Sequence, residues 1–196
     1  MSDPSLAPVA FWYLRHGETD WNARNLSQGN VDIPLNPTGI AQARQAAAAL
    51  SGRGIAAILS SPLARARVTA EIVAEAIGLP VTILPSLREV AFGVQEGQSM
   101  GAWFTAWMED GFTPEGAESF AALRARAVTA VNTATAHPPP VLVVAHGALF
   151  RALRTAMGLE AQARTRNGVP FFCAPPTAPG AAWTLTPAEP GAALTM

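Results

Sequence analysis

At residues 9–17 the chain reads "VAFWYLRHG": six apolar or aromatic residues in a row, then Arg15, His16 and a glycine. An unbroken apolar run, with no alternation of polar residues, is the pattern of a strand covered on both faces, as in the parallel sheets of α/β proteins. Residues just past its carboxyl end then stand where open α/β sheets bind ligands. The pattern returns at "PVLVVAHG" (140–147), again closed by a His-Gly pair. "IAAILSS" (55–61) and the short "VTILP" (81–85) read as two more buried strands, and "VPFFCAP" (169–175) and "AAWTLTP" (181–187) as a last pair divided by the turn-rich "PPTAPG".

Helical stretches alternate with these runs. "NPTGIAQARQAAAALSGRG" (36–54) takes Thr38 as its expected N-cap and Gly52 or Gly54 as its stop. "PLARARVTAEIVAEAIG" (62–78) carries Pro62 near its first turn and Gly78 at its end, and "ALFRALRTAMG" (148–158) follows the second His-Gly pair. This alternation predicts an α/β three-layer sandwich with a mainly parallel central sheet and helices on both faces. Residues 97–138 break the rhythm with two helical stretches and no strand. They are expected as a lid-like helical insertion over the active site, within a single domain spanning 1–196.

Composition narrows the chemistry. The 196 residues suit one domain with a full core, and 49% hydrophobic against 14% charged residues is too apolar for a disordered chain. With a net charge of −1 there is no overall positive field for nucleic acid or an anionic membrane, so any anion must be caught locally. All 13 basic residues are Arg. Without a lysine, Schiff-base chemistry, pyridoxal phosphate anchoring and a nucleotide-binding P-loop are excluded. The single Cys173 has no partner for an intrachain disulfide, the start of the chain lacks the basic and apolar regions of a signal peptide, and no run reaches the ~20 apolar residues of a membrane helix. A soluble, cytoplasmic chain is expected.

Four polar clusters fall beyond strand ends: Arg15-His16, Arg65 in "SSPLARAR", Glu89 in "LREVAFGVQEG", and His146. Taken singly, each reads equally as a backbone cap or a surface charge. Together they point to one pocket. The histidines and Cys173 have no metal-ligand spacing, so no metal is expected, nor any cofactor. There is no G-x-S-x-G elbow for a serine nucleophile, and Cys173 lies in an apolar strand. Paired arginines suit phosphate, whose oxygens match a planar guanidinium, and an imidazole among them can attack phosphorus. A carboxyl such as Glu89 can protonate the leaving oxygen, for which an apolar setting from Val90, Phe92 and the lid is expected. His137, beside "HPPP", has no assigned role.

"LRHGETDWN", "SSPLARARVTAE", "LREVAFGVQEG" and "VVAHG", in this order and with "QGNVDIPLNPTGIAQA" between the first two, resemble the histidine phosphatase superfamily, the phosphoglycerate-mutase-like enzymes. The resemblance implies that His16 is the phosphorylated nucleophile and Glu89 the proton donor. It makes Arg15, Arg65 and His146 the phosphate ligands, His146 also stabilising charge in catalysis, and places Asn22 and Thr19 on the same pocket. Mutases of this family carry "ERHYG" at the acid; here Val90 and Phe92 replace the Arg and Tyr, and Leu26 stands where an Arg is common. "PEGAESFAALRAR" (114–126) is close to the "EGxxES" of phosphatase relatives. The expectation is a metal-independent phosphatase acting on a small-molecule phosphate ester. A mutase-type phosphoryl transfer and a catalytically silent phosphate-binding module are the alternatives. Met100, Trp103, Phe104, Trp107 and Met108 form one apolar helix face, which either packs on the domain or meets substrate.

Overall fold

The computed structural model describes residues 4–178 and 180–188. Six strands form one sheet: β1 (Phe11–Arg15), β2 (Ala57–Ser60), β3 (Val81–Ile83), β4 (Val141–Ala145), β5 (Pro170–Ala174) and β6 (Thr184–Pro187), in the order β3-β2-β4-β1-β5-β6. The first four are parallel, and β5 and β6 add an antiparallel edge. Pro179, in the "PPTAPG" read as a turn between the last two strands, lies outside the described residues. The helices are α1 (Asp20–Ala23), α2 (Pro37–Leu50), α3 (Ala64–Ile77), α4 (Ala102–Met108), α5 (Phe120–Thr135) and α6 (Gly147–Ala156).

The apolar runs behave as read. Alternate residues of β1 feed opposite faces: Phe11 and Tyr13 join a core with α5 and α6, while Trp12 and Leu14 join one with α2 and α3. In β4, Val141, Val143 and Ala145 go one way and Leu142 and Val144 the other. Both faces being covered, no polar alternation survives in these strands.

Topology then fixes where chemistry sits. β1 leads to α2 on one face, whereas its neighbour β4 leads to α6 on the other, so the chain diverges between adjacent strands and opens a crevice at their carboxyl ends. Register aligns those ends: Arg15 pairs with Ala145, and Ser60 with Val144. The amides of His16 and Ser61 continue the ladder to the carbonyls of Ala145 and Val144 at 3.0 and 3.1 Å.

Three local expectations change. Helix α2 is capped by Asn36, whose Oδ1 accepts the Gly39 N–H at 2.8 Å, rather than by Thr38. Pro37 fits the first helical position, where its missing N–H has no partner to lose, and this moves the cap to the residue before it. Pro62 lies before α3; that helix starts at Ala64, and its first amide is capped from a distance by Asp32 Oδ1 at 2.7 Å. Residues 97–138 divide between two jobs. Helix α4 and its flanks reach the crevice, but α5 is a face helix whose Ala127, Val131 and Ala134 are fully buried in the core.

Candidate active site

The crevice holds a cavity of about 260 Å³. On its wall stand Arg15, His16, Asn22, Arg65 and Glu89, five of the seven residues singled out in the sequence. His146 stands behind the wall, fully buried, its ring 5.3 Å from that of His16. Thr19 does not reach the cavity.

His16 is the first residue past β1, and its ring orientation is fixed by its own turn. Nδ1 lies 2.6 Å from the carbonyl of Gly17, which can only accept, so Nδ1 carries the hydrogen and the neutral ring keeps its lone pair on Nε2. Burial, then the Arg65 and Arg15 guanidiniums, pushes the imidazole well below the ordinary histidine value. The ring is a neutral base at pH 7. Gly17 is required by a close backbone crossing: a Cβ there would sit 2.3 Å from the Gly39 carbonyl oxygen at the start of α2.

His146 is oriented from the opposite nitrogen. Its Nε2 is 2.7 Å from Ser61 Oγ, which itself accepts the Leu63 N–H at 3.3 Å. Assigning the Ser61 hydroxyl as donor to Nε2 puts the ring hydrogen on Nδ1, which is buried and without a partner among the described residues. Burial, then Arg65 and His16, lowers this imidazole too. The turn is held from below by Tyr13, whose hydroxyl donates to the His146 carbonyl at 2.8 Å and accepts its N–H at 3.2 Å.

The two arginines are built into the floor rather than laid on it. Arg15 donates from Nη1 to the Thr165 carbonyl at 2.7 Å, and Arg65 donates to the carbonyls of Val31 and Gly29 at 2.8 Å each. Both keep a buried Nε with no partner among the described residues. Burial lowers each guanidinium to about 10, so both remain cations at neutral pH. Two arginine Nε and the His146 Nδ1 thus form a set of unsatisfied donors around His16. Buried donors of this kind cost stability unless a partner meets them, and an anion is the class of ligand that a set of donors suits.

Glu89 is anchored where an apolar setting was expected. Val90 and Phe92 are buried beside it, yet the carboxylate accepts three backbone amides: Ala148 and Leu149 at 2.9 Å and Val90 at 3.1 Å. The first two belong to the opening turn of α6, which has no side-chain cap from its own N-cap residue, His146. Glu89 supplies that cap, and the cap fixes where its oxygens stand. Arg126 secures the loop from outside, donating to the carbonyls of Ser86, Arg88 and Glu89 and pairing with Glu118 at 2.6 Å.

Thr19 and Asn22 share a capping box at α1, with Asn22 N–H to Thr19 Oγ1 at 3.2 Å and Thr19 N–H to Asn22 Oδ1 at 3.3 Å. Thr19 is fully buried, and its hydroxyl donates to Gln28 Oε1 at 2.9 Å, so it positions its neighbours instead of lining the cavity. The Oδ1 of Asn22 also accepts from Asn167 Nδ2 at 3.2 Å, which leaves the Nδ2 donor for the cavity. Cys173 is buried in β5, its thiol pushed up by burial, far from nucleophile character.

The sequence reading missed the loop around Gln28 and Gly29 and the residues Arg151, Arg164 and Thr165, whereas Met100 and Phe104, from the apolar face expected either to pack or to meet substrate, line the cavity. Arg151 carried the one available signal, a cation in the second turn of the helix that leaves a His-Gly strand end.

A family model described as the histidine phosphatase superfamily (branch 1) matches residues 11–172. A probable phosphoglycerate mutase GpmB of Proteus mirabilis is 40% identical over 169 residues, covering 79% of this chain and 78% of its own. A solved mycobacterial glucosyl-3-phosphoglycerate phosphatase in complex with VO3 aligns at a TM-score of 0.79 and 31% identity, over 90% of this chain and 97% of its own. A phosphoserine phosphatase from Entamoeba histolytica, at 24% identity and a TM-score of 0.76 over 90% of this chain and 94% of its own, shares the fold.

Proposed function

The chain belongs to the histidine phosphatase superfamily, and from that premise we propose that it is a metal-independent phosphomonoesterase for small organic phosphates, working through a phosphohistidine on His16. The observation that carries this reading is the locked tautomer of His16, with Nδ1–H on the Gly17 carbonyl and the lone pair on Nε2, among donors that lack partners. The Nε2 lone pair attacks phosphorus and the ester P–O bond breaks. The departing oxygen takes its proton from the Glu89 carboxyl. Arg15, Arg65 and His146 Nδ1–H, with the Asn22 amide, bear the charge on the phosphoryl oxygens. Water then attacks the phosphohistidine and passes a proton to the Glu89 carboxylate, which returns His16 and releases phosphate.

Two points favour water over a second substrate hydroxyl as acceptor. Phe92, where mutases of the family place Tyr, gives the cavity wall hydrocarbon only, and Val90, where they place Arg, is fully buried and offers no polar group. The solved relative at 31% identity is named a phosphatase. The second reading, phosphoryl transfer between positions of one substrate, is favoured by the name of the 40% identical relative. Incubation with 3-phosphoglycerate and a panel of monoesters in EDTA separates them. Free phosphate from the panel is expected; isomerised phosphoglycerate without phosphate release would establish the mutase.

A further inference from the structure

Asn22 meets the cavity with a side-chain amide that has a donating and an accepting end, and only the donating end suits a phosphoryl oxygen. Its own helix holds that amide loosely. Thr19 N–H lies 3.3 Å from Asn22 Oδ1, and the Thr19 hydroxyl, also at 3.3 Å, gives its one hydrogen to Gln28 Oε1 at 2.9 Å. Among the described residues the shortest contact of Oδ1 comes from outside α1: Asn167 Nδ2, at 3.2 Å, from a segment 145 positions further along the chain that leads into β5.

The direction of the Asn167 amide is set by its partners. Its Nδ2 lies 2.9 Å from the His16 carbonyl and 3.4 Å from that of Gly17, and a carbonyl can only accept, so the nitrogen faces the turn. That nitrogen has a second hydrogen for Asn22 Oδ1, so Oδ1 points inward and Asn22 Nδ2 toward the cavity. Both ends of this relay are fixed without it. Arg15 Nη1 donates to the Thr165 carbonyl at 2.7 Å, and Gly168 N–H donates to the Arg15 carbonyl at 3.0 Å. Gly168 has φ +69°, and a Cβ there would stand 2.6 Å from that of Gln42, so only glycine fits. In the turn, His16 N–H goes to the Ala145 carbonyl at 3.0 Å and Gly17 N–H to Thr69 Oγ1 at 3.1 Å. The His16–Gly17 peptide is thus a fixed reference, and Asn167, which is not among the described residues of the wall, carries its direction to Asn22.

We propose that Asn167 is a positioning residue: by relaying the direction of the His16 carbonyl, it sets which end of the Asn22 amide meets the phosphoryl group. Asn167 touches no substrate and acts through Asn22 alone. This deepens the phosphatase reading and rests on it for the place of the phosphoryl group, but its test needs no turnover.

Calorimetric titration with inorganic phosphate of the wild type, Asn167→Ala, Asn22→Ala and the double variant forms a cycle that reads the relay. Asn167→Ala is expected to weaken phosphate about fourfold, the effect of an amide correctly turned in about one molecule in four, and less than about 1.5-fold once Asn22 is alanine. A role confined to holding the 165–168 segment would act through Arg15 and cost the same in both backgrounds. Asn167→Asp gives a sharper reading, because it keeps the size and reverses the polarity. Asn22 then turns its donor to the new carboxylate and its oxygen to the cavity, so adding Asn22→Ala should leave phosphate binding unchanged or tighten it, whereas in the wild type it weakens binding at least about fivefold. The added charge acts alike in both backgrounds and cancels in the ratio, so this pair decides the matter if Asn167→Ala fails to fold. Coupling of at least about twofold in these ratios supports the relay, and coupling below twofold overturns it. If the coupling holds but no monoester releases phosphate, the phosphatase reading falls and the relay stands; phosphate release without the coupling gives the reverse, and a wild type that binds no phosphate overturns both.

Discussion

The floor of the cavity and its cover are built on different principles. On the floor, Arg15, His16, Arg65 and His146 are all at most 9% exposed, and each side chain is tied to a backbone carbonyl or a buried hydroxyl. Three of the four sit within one residue of a parallel strand end, where sheet register fixes the backbone. The cover lies outside the sheet, its backbone joined by the isolated bridges Leu26–Ser99 and Phe92–Ala117. Phe92, Trp103, Phe104 and Trp107 hold one another by edge-on ring contacts at 5.2 to 5.8 Å, and Met100 and Leu26 complete an apolar surface. Directional bonds on the floor preset the charges that a transition state needs, whereas the cover offers contact area that a bound substrate uses equally before and during reaction. Floor substitutions should therefore lower kcat, and cover substitutions should raise KM.

The largest effect expected is at the nucleophile. His16→Ala should reduce turnover at least about a thousandfold, since the other neutral imidazole, His146, stands behind the cavity wall with its Nε2 tied to Ser61. Rapid quench with labelled substrate checks it: acid-labile, base-stable label should appear on the wild type and vanish from the variant. Label retained by His16→Ala would place the chemistry elsewhere and dissolve the contrast between floor and cover.

Glu89→Gln should follow, with a loss of phosphorylation rate of about 10²–10⁴ for an alkyl phosphate and much less for an aryl phosphate, which leaves without a proton. The anchoring of Glu89 adds a second readout. A Gln side chain has one acceptor oxygen where the carboxylate has two, so the α6 cap loses a bond and stability should drop by about 1–3 kcal/mol. Pre-steady-state rates separate the effects, and equal slowing for both leaving groups would remove Glu89 as acid. Next, Arg65→Lys should lower kcat about 10²–10³-fold, because an ammonium cannot hold the Gly29 and Val31 carbonyls and still present a donor to the phosphoryl group. An unchanged kcat would make Arg65 a brace for the loop alone.

The floor also sets a pH dependence of stability. His16 and His146 are held neutral by burial, while in the unfolded chain each titrates near 6.5. Below about pH 6.5 the unfolded chain takes up protons that the folded one refuses. Stability is therefore highest above that value and falls as pH drops toward the lowered folded values, by up to about 1.4 kcal/mol per pH unit for each ring. Urea unfolding between pH 6 and 5 should show a slope shallower by about one proton in His146→Asn than in wild type, carboxylate contributions being common to both. Equal slopes would mean that the buried ring takes up its proton in the folded state.

The same contrast explains what the sequence disclosed. Strand-end residues were legible because an unbroken apolar run marks a buried strand, and a buried strand says which way its carboxyl end faces; that puts Arg15, His16 and His146 at one end of the sheet, and their conjunction with Arg65 and Glu89 made them candidates. Glu89 was legible as a residue but its surroundings were not. Its partners are amides of α6, some sixty positions away, and no pattern at 89–92 encodes them. Thr19 shows the opposite failure: it belongs to a recognisable motif, yet its hydroxyl serves Asn22 and Gln28. Residues 97–138 read as helical on periodicity, but periodicity carries no information on which helix covers a cavity and which packs on a sheet. Arg164 lies in no helix or strand, and no pattern around it in the sequence marks it as a residue of the wall.

The smallest effect expected falls on the cover, where the contrast is most easily broken. Phe104 touches both sides of the question, since its ring lines the cavity, packs edge-on against Phe92, and lies under the Arg151 guanidinium. Phe104→Leu keeps an apolar side chain in the core cluster while removing the ring face that Arg151 uses. The attraction between that face and the guanidinium is worth about 0.5–1 kcal/mol, so without it KM should rise by about two- to fivefold. Nothing on the floor hydrogen-bonds to Phe104, so kcat should stay within about a factor of two and the quenched label on His16 should reach the same level. A fall in kcat with KM unchanged would show that α4 acts on the transition state, and the division of labour between floor and cover would have to be redrawn with α4 on the catalytic side.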